Sequence, residues 1–340
     1  MSNLFWNREQ ARLRTLWRLA MLGVLFVLGL LAMGVVAGVL AAFWLVLEPG
    51  AAAQLAGDPA RLAATLAGHP GVRAYSALGV LAVALVSVWL AGRFLDRRPF
   101  AGFGFHLSRS WWLDLGFGLA LGGVLMAGIF LAEWALGWVS IAGVFRAPGR
   151  GWPLLPSLVV ALLAFLAVGI YEELLSRGYA LRNLAEGLNF RPLGPRGAVI
   201  AAWLLSSLGF GLLHAGNPNA SLASTASLVL AGLFLGLGYV LTGELAIPIG
   251  LHISWNYFQG NVFGFPVSGG NAGASVVSVV QGGPVLWTGG AFGPEAGLVS
   301  VAAILVGAGL IVGWVRWRYA RVGLAEGLAE PPVAGDSVTV

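Results

Sequence analysis

Long apolar runs, separated by short polar stretches that carry arginine, set the rhythm of this chain. They lie at roughly Leu19 to Leu47, Ser76 to Leu95, Trp111 to Ile141, Leu154 to Leu181, Gly197 to His214, Ser221 to Leu241, Leu245 to Gly264 and Ala296 to Val315. A helix crosses the hydrocarbon layer with about 20 apolar residues, so the pattern predicts an all-α polytopic membrane protein of about eight transmembrane helices. Three parts follow: helices 1–3 over 1–152, a core of helices 4–7 over 153–264, and 265–340 with a Gly/Ser/Val-rich outer loop, helix 8 and a disordered tail from Leu324. The Glu48 to Tyr75 connection, with Pro59, reads as a short amphipathic helix, and Phe265 to Glu295 as a long loop.

Composition sharpens this picture. Of 340 residues 58% are hydrophobic and only 10% charged, against about a quarter charged in soluble domains. The absence of cysteine excludes disulfides, a thiolate nucleophile and cysteine-ligated zinc. All 19 basic residues are arginines, and between apolar runs they report topology rather than nucleic-acid binding. With Arg177 set aside as intramembrane, 14 fall on one side (Arg8, 12, 14, 18, 93, 97, 98, 109, 182, 191, 196, 316, 318 and 321) and 4 on the other (Arg61, 73, 146 and 150). The positive-inside rule then puts both termini in the cytoplasm, as in a bacterial inner membrane. Pairs such as Gly34/Gly38, Gly118/Gly122, Gly232/Gly236 and Gly309/Gly313 offer close helix contacts.

A few polar residues break the apolar pattern. Glu172 and Glu173 follow the run Leu158 to Ile170, where an uncompensated carboxylate costs several kcal/mol. On a helix Glu173 and Arg177 share a face and can pair, whereas Glu172 points about 100° away and is left for something else. Phe210 and His214 share a face by the same spacing, as do His252 and Asn256. Three helices thus each bring polar groups to membrane depth, and burial cost favours their convergence on one hydrated cavity. His214 ends its helix while His252 lies early in its own, so tilt, or a fifth helix that begins well inside the cytosol, is needed to bring them level.

Such a cavity has a peptidase's chemistry without a protein nucleophile. A carboxylate and an imidazole can take a proton from water and pass it to a leaving amine; imidazole and amide N–H groups can stabilise an oxyanion. No Gly-x-Ser-x-Gly turn exposes Ser206 or Ser207, and His-Glu-x-x-His is absent. Glu172, His214 and His252 could also ligate a divalent metal such as zinc.

Glu172 Glu173 x x x Arg177, Phe210 x x x His214 and His252 x x x Asn256, in that order on successive helices, resemble the three motifs of the CPBP family, the CAAX-processing and bacteriocin-processing (Abi) intramembrane endopeptidases. The resemblance covers about Pro153 to Gly264. It implies an activated water held by Glu172 and His214, an oxyanion site of His252 and Asn256, support from Glu173, Arg177 and Phe210, and no firmly required cofactor. The expected partners are the lipid bilayer and a membrane-associated peptide or protein substrate, prenylated in the family's eukaryotic members, with no nucleic acid. Two other classes stand beside it: a non-proteolytic scaffold or bacteriocin-immunity protein of the same fold, and a proton-coupled transporter. Intact motifs count against the first, and the lack of an inverted repeat against the second.

Overall fold

The computed structural model describes residues 4–8, 10–47, 57–58, 70–147, 152–271 and 273–332. The connection read as an amphipathic helix falls mostly outside them, as do His69 and Asp336.

Helices dominate the described residues: α1 (Thr15–Leu47), α2 (Pro70–Ala91), α3 (Arg109–Ala135), α4 (Leu154–Glu173), α5 (Arg182–Leu188), α6 (Gly194–Leu213), α7 (Leu222–Thr242), α8 (Ala246–Tyr257), α9 (Val285–Thr288) and α10 (Leu298–Tyr319). Seven stretches are long and apolar enough to cross a membrane, the longest joining α4 to α5 over Leu154–Leu188. The protein is therefore an integral, multi-pass membrane protein. The remaining expected span is α8, only 12 residues of α-helix continued by a π-turn at Phe258–Val262. Protein rather than lipid surrounds it, since its residues from Ala246 to Ser254 are all buried.

Glycines decide how closely α8 is held. A Cβ on Gly118 would lie 2.5 Å from the Ile247 carbonyl, and one on Gly250 2.4 Å from that of Leu115, so the α3 and α8 backbones touch where side chains would hold them apart. Gly232 and Gly236 likewise receive Ser207 and Trp203 of α6. The other two pairs, Gly34/Gly38 and Gly309/Gly313, meet nothing within 4 Å among the described residues.

Two regions depart from expectation. The helix read to Ile141 stops at Ala135, and the chain turns into β3 (Val139–Arg146), which pairs antiparallel with β4 (Ser275–Gln281) inside the stretch read as a loop. Gln281 then donates to the buried Glu133 (2.9 Å) and to the Thr288 carbonyl (2.9 Å), which anchors this ribbon on α3. The stretch from Leu324 is also not disordered over its described part. Glu326–Ala329 forms a 3-10 turn whose Leu328 and Ala329 join the core shared with Phe103, Tyr179 and Tyr239. Arg98, Arg182 and Asn189 hold its carbonyls.

Several arginines counted as topology signals are structural. Glu186 pairs with Arg12 (2.7 Å), Arg98 (2.5 Å) and Arg18 (3.2 Å), and Arg18 also reaches Asp96 (2.5 Å), all of these side chains being nearly inaccessible. Burial holds the Arg12 and Arg98 guanidinium groups below the usual arginine range. This cluster joins the N-terminal strands β1 (Trp6–Asn7) and β2 (Arg12–Leu13), α1, the π-turn Gly92–Asp96 and α5 at the arginine-rich end. Removing the shared acid leaves buried guanidinium groups short of a counter-charge, a change that costs about 3–5 kcal/mol in comparable buried pairs. Glu186→Gln is therefore expected to lower the apparent melting temperature in detergent well beyond Glu326→Gln, an exposed control; equal midpoints would show the cluster to be dispensable.

Candidate active site

Glu173 is the site's fixed point. It ends α4, is completely buried, and accepts through Oε1 from Arg177 Nη1 and pairs with His252 Nδ1, both at 2.8 Å. Arg177 is equally buried; it donates to the Gly232 carbonyl of α7 (2.8 Å) and to Ser176 Oγ (3.0 Å). The Phe210 ring lies 4.5 Å from the guanidinium carbon, a cation–π contact strengthened by the absence of water. The ring also packs on both His214 (4.7 Å) and His252 (6.2 Å). One charge pair thus fastens α4, α6, α7 and α8 together.

Right after Glu173 the chain leaves α-helical geometry for a π segment, Leu174–Leu181, and a second one follows α8 at Phe258–Val262. Widened turns of this kind are rare and gather at functional sites. Beside the first, α6 packs on the π segment and on α5 rather than along α4. A cavity of about 760 Å³ is lined by Phe165 and Val168 of α4 and by Leu205 and Leu213 of α6.

Glu172, His214, His252 and Asn256 all line this cavity. The Glu172 Oε2 atom lies 3.9 Å from His214 Nε2 and 3.9 Å from His252 Nε2. It is buried and has no hydrogen-bond partner among the described residues. Each imidazole is held by its other nitrogen. His214 Nδ1 lies 2.8 Å from the Phe210 carbonyl, which only accepts, so Nδ1 carries the proton. His252 Nδ1 faces Glu173 Oε1 in the same sense. Neutral, both rings therefore turn Nε2 lone pairs toward the Glu172 carboxylate, leaving a gap fit for a water molecule that donates to acceptors on several sides.

The depth mismatch between the two histidines is absorbed where α8 begins. Leu245 is completely buried and its N–H donates to the Gly104 carbonyl (3.0 Å), so the α7–α8 turn sits inside the protein. Asn256, one turn beyond His252, is half-buried at the cavity wall and makes no side-chain hydrogen bond among the described residues. Ser206 also lines the cavity but donates to the Trp203 carbonyl, and Ser207 is wholly buried.

The donor set suits zinc chemically, but its spacing is loose. Two ligands about 2.1 Å from a tetrahedral zinc stand roughly 3.4 Å apart, less than either 3.9 Å separation, and no metal-ready group of three His, Asp or Glu occurs among the described residues.

Sequence reading missed the cavity's far end, formed by Asn217, Val267, Ser268 and Glu295. Glu295 is buried at the threshold of α10; it accepts from the Ser268 N–H and the Gln259 side chain, and burial pushes its carboxyl up to about 7. A lone acid in a Gly/Pro-rich stretch before an apolar run was the available signal. Two further acids have structural partners. Asp114 accepts from Trp314 Nε1 and Tyr319 Oη, and Glu244 pairs with the exposed His106 (2.6 Å).

Fold and site together define a polytopic membrane protein built around a buried Glu/His cavity. Residues 154–258 match the family described as Type II CAAX prenyl endopeptidase Rce1-like, and over this segment the chain is similar to that protease family. The chain is also 28% identical to the uncharacterized protein YyaK of Bacillus subtilis (strain 168) over 253 residues, covering 72% of this chain and 77% of that one. No solved structure matches it.

Arg177 and Glu173 neutralise each other where neither could be solvated. Arg177→Met strands the Glu173 carboxylate in the core, with an expected loss of about 3–5 kcal/mol. Arg177→Met with Glu173→Gln should recover part of that loss, and a double variant no more stable than the single one would contradict the pairing.

Proposed function

We propose that this protein is an intramembrane endopeptidase in which Glu172 activates water for attack on a peptide bond in a membrane-associated peptide or protein. The carrying observation is the unpartnered Glu172 Oε2 atom, equidistant from two oriented imidazoles at the wall of a cavity lined by several helices. Glu172 takes a proton from the water and, with His214, passes it to the departing amine. The carbonyl oxygen, as it gains negative charge, is met by the Asn256 amide and by His252, which can donate from Nε2 only when that nitrogen is also protonated. Glu173, bound at Nδ1, favours this imidazolium. The arginine distribution supports cytoplasmic termini, and the match of residues 154–258 to a prenyl endopeptidase family supports a membrane-borne peptide substrate.

Purified protein in liposomes, offered a library of membrane-proximal peptides with and without a prenyl group, tests this reading. Glu172→Gln is expected to abolish cleavage while melting stays near wild type. Asn256→Ala should retain a residual rate, lower by roughly a hundredfold in kcat as for a lost oxyanion donor. Activity that survives a chelator supports the water-activating role of Glu172; activity lost to chelator and restored by zinc would reassign Glu172, His214 and His252 as ligands. Cleavage by Glu172→Gln at the wild-type rate would overturn the proposal.

A further inference from the structure

The charges on the cavity wall are one-sided. Its described lining contains two carboxyl groups, Glu172 and Glu295, and two histidines, but no arginine and no lysine. Arg177 lies behind Phe210, fully buried and engaged with Glu173. A free C-terminal carboxylate brought into this cavity would lose water, find no arginine or lysine to pair with and face two carboxyl groups, a cost of several kcal/mol.

Glu295 is held there by construction. Trp255 Nε1 donates to Gln259 Oε1 (3.0 Å), and Gln259 Nε2 donates in turn to the Pro266 carbonyl and to Glu295 Oε2. The Ser268 N–H holds Oε1, while Asn217 fixes the Ser268 carbonyl (3.2 Å). Gly293 closes over the group at φ 121°, where a Cβ would lie 2.5 Å from Glu295 Oε2. Two donors leave capacity on a carboxylate that can accept about four hydrogen bonds. The carboxyl is therefore fixed, largely dehydrated and exposed to whatever fills the cavity, which is the setting in which pairing with a cation counts most.

From this we infer that the cavity takes an internal peptide segment bearing a basic side chain, lysine or arginine, which pairs with Glu295 at the end of the cavity away from the arginine-rich face. The inference rests on the peptidase reading and assigns Glu295 as the residue that selects the substrate. The neighbouring polar groups, Gln259, Ser268 and Asn217, are neutral, and the other titratable groups of the cavity are Tyr171, Glu172, His214 and His252. Any charge on these also acts on lysine and not on norleucine, so loss of the preference in Glu295→Gln is what assigns it to Glu295.

The experiment walks a single lysine along a membrane-proximal peptide and pairs each register with its norleucine counterpart. Two readouts are taken: kcat/KM with the wild type, and binding by fluorescence anisotropy to Glu172→Gln, which needs no turnover. At one register lysine is expected to be preferred by at least about tenfold in both, and Glu295→Gln should bring the lysine-to-norleucine ratio close to one. The wild-type ratio should also rise as the pH passes through about 7 from below, because lysine stays charged while Glu295 ionises, and Glu295→Gln should remove most of that rise; the lysine preference at one register stands as a test even if the Glu295 variant does not fold. No lysine preference at any register, a ratio unchanged by Glu295→Gln, or a ratio flat with pH would each overturn the inference. Lysine-selective binding without cleavage of any peptide would sink the hydrolytic reading and leave this one standing.

Discussion

A carboxylate without access to water must have its charge matched within a few ångströms, and most of the architecture around the site answers that demand at Glu173. Arg177 supplies the cation, His252 shares the same oxygen, Phe210 covers the guanidinium, and Gly232 of α7 accepts from it. Four helices are thereby fixed relative to one another by one ion pair and its surroundings. The energetic return of such a pair is modest once desolvation is counted; what it provides is geometry. With Glu173 spoken for, the neighbouring Glu172 projects to another side of the helix and keeps an oxygen free between two imidazoles.

The chemistry-bearing groups were legible in the sequence because helical spacing is arithmetic. Glu173 with Arg177, Phe210 with His214, and His252 with Asn256 each lie four residues apart, and in an apolar background each pair has a face on which to appear. What the spacing could not carry was the joint between helices. The π segment after Glu173 has no marked composition, yet it is what α6 packs against in place of α4. The recessed start of α8 depends on Gly118 and Gly250, distant in sequence, meeting in space. Four glycine pairs looked equivalent, and only the neighbours available in three dimensions separate the two that pack from the two that meet nothing. Glu295 was hidden for another reason: it lies in a loop with no periodicity to read, as does its partner Ser268, and nothing in the helical run that carries Gln259 marks that residue as the third member.

The arginines show how one residue type can carry two messages. As a count between hydrophobic runs they report orientation, because each must stay on its side during insertion. As side chains, Arg12, Arg18 and Arg98 are withdrawn from solvent around Glu186 and Asp96, where they tie the N-terminal strands to α5 and, through Arg98 and Arg182, to the turn at Glu326–Ala329. That end of the molecule is closed by protein, whereas the polar wall at Asn217, Ser268 and Glu295 lies at the other.

A last consequence concerns protons. The Phe210 carbonyl and the Glu173 carboxylate both draw the Nδ1 proton of a histidine, so at neutral charge the centre presents two imidazole lone pairs and one carboxylate oxygen to the same small space. Three converging acceptors repel unless something between them donates. A water molecule with two protons satisfies part of that demand and in doing so is polarised towards hydroxide, while a further proton on His252 satisfies the rest and turns that ring from acceptor to donor. The negative Glu173 is placed on the side of His252 where it favours that extra proton. Two histidines that look interchangeable in sequence are thus set apart by what holds their outer nitrogens, a carboxylate for His252 and a backbone carbonyl for His214.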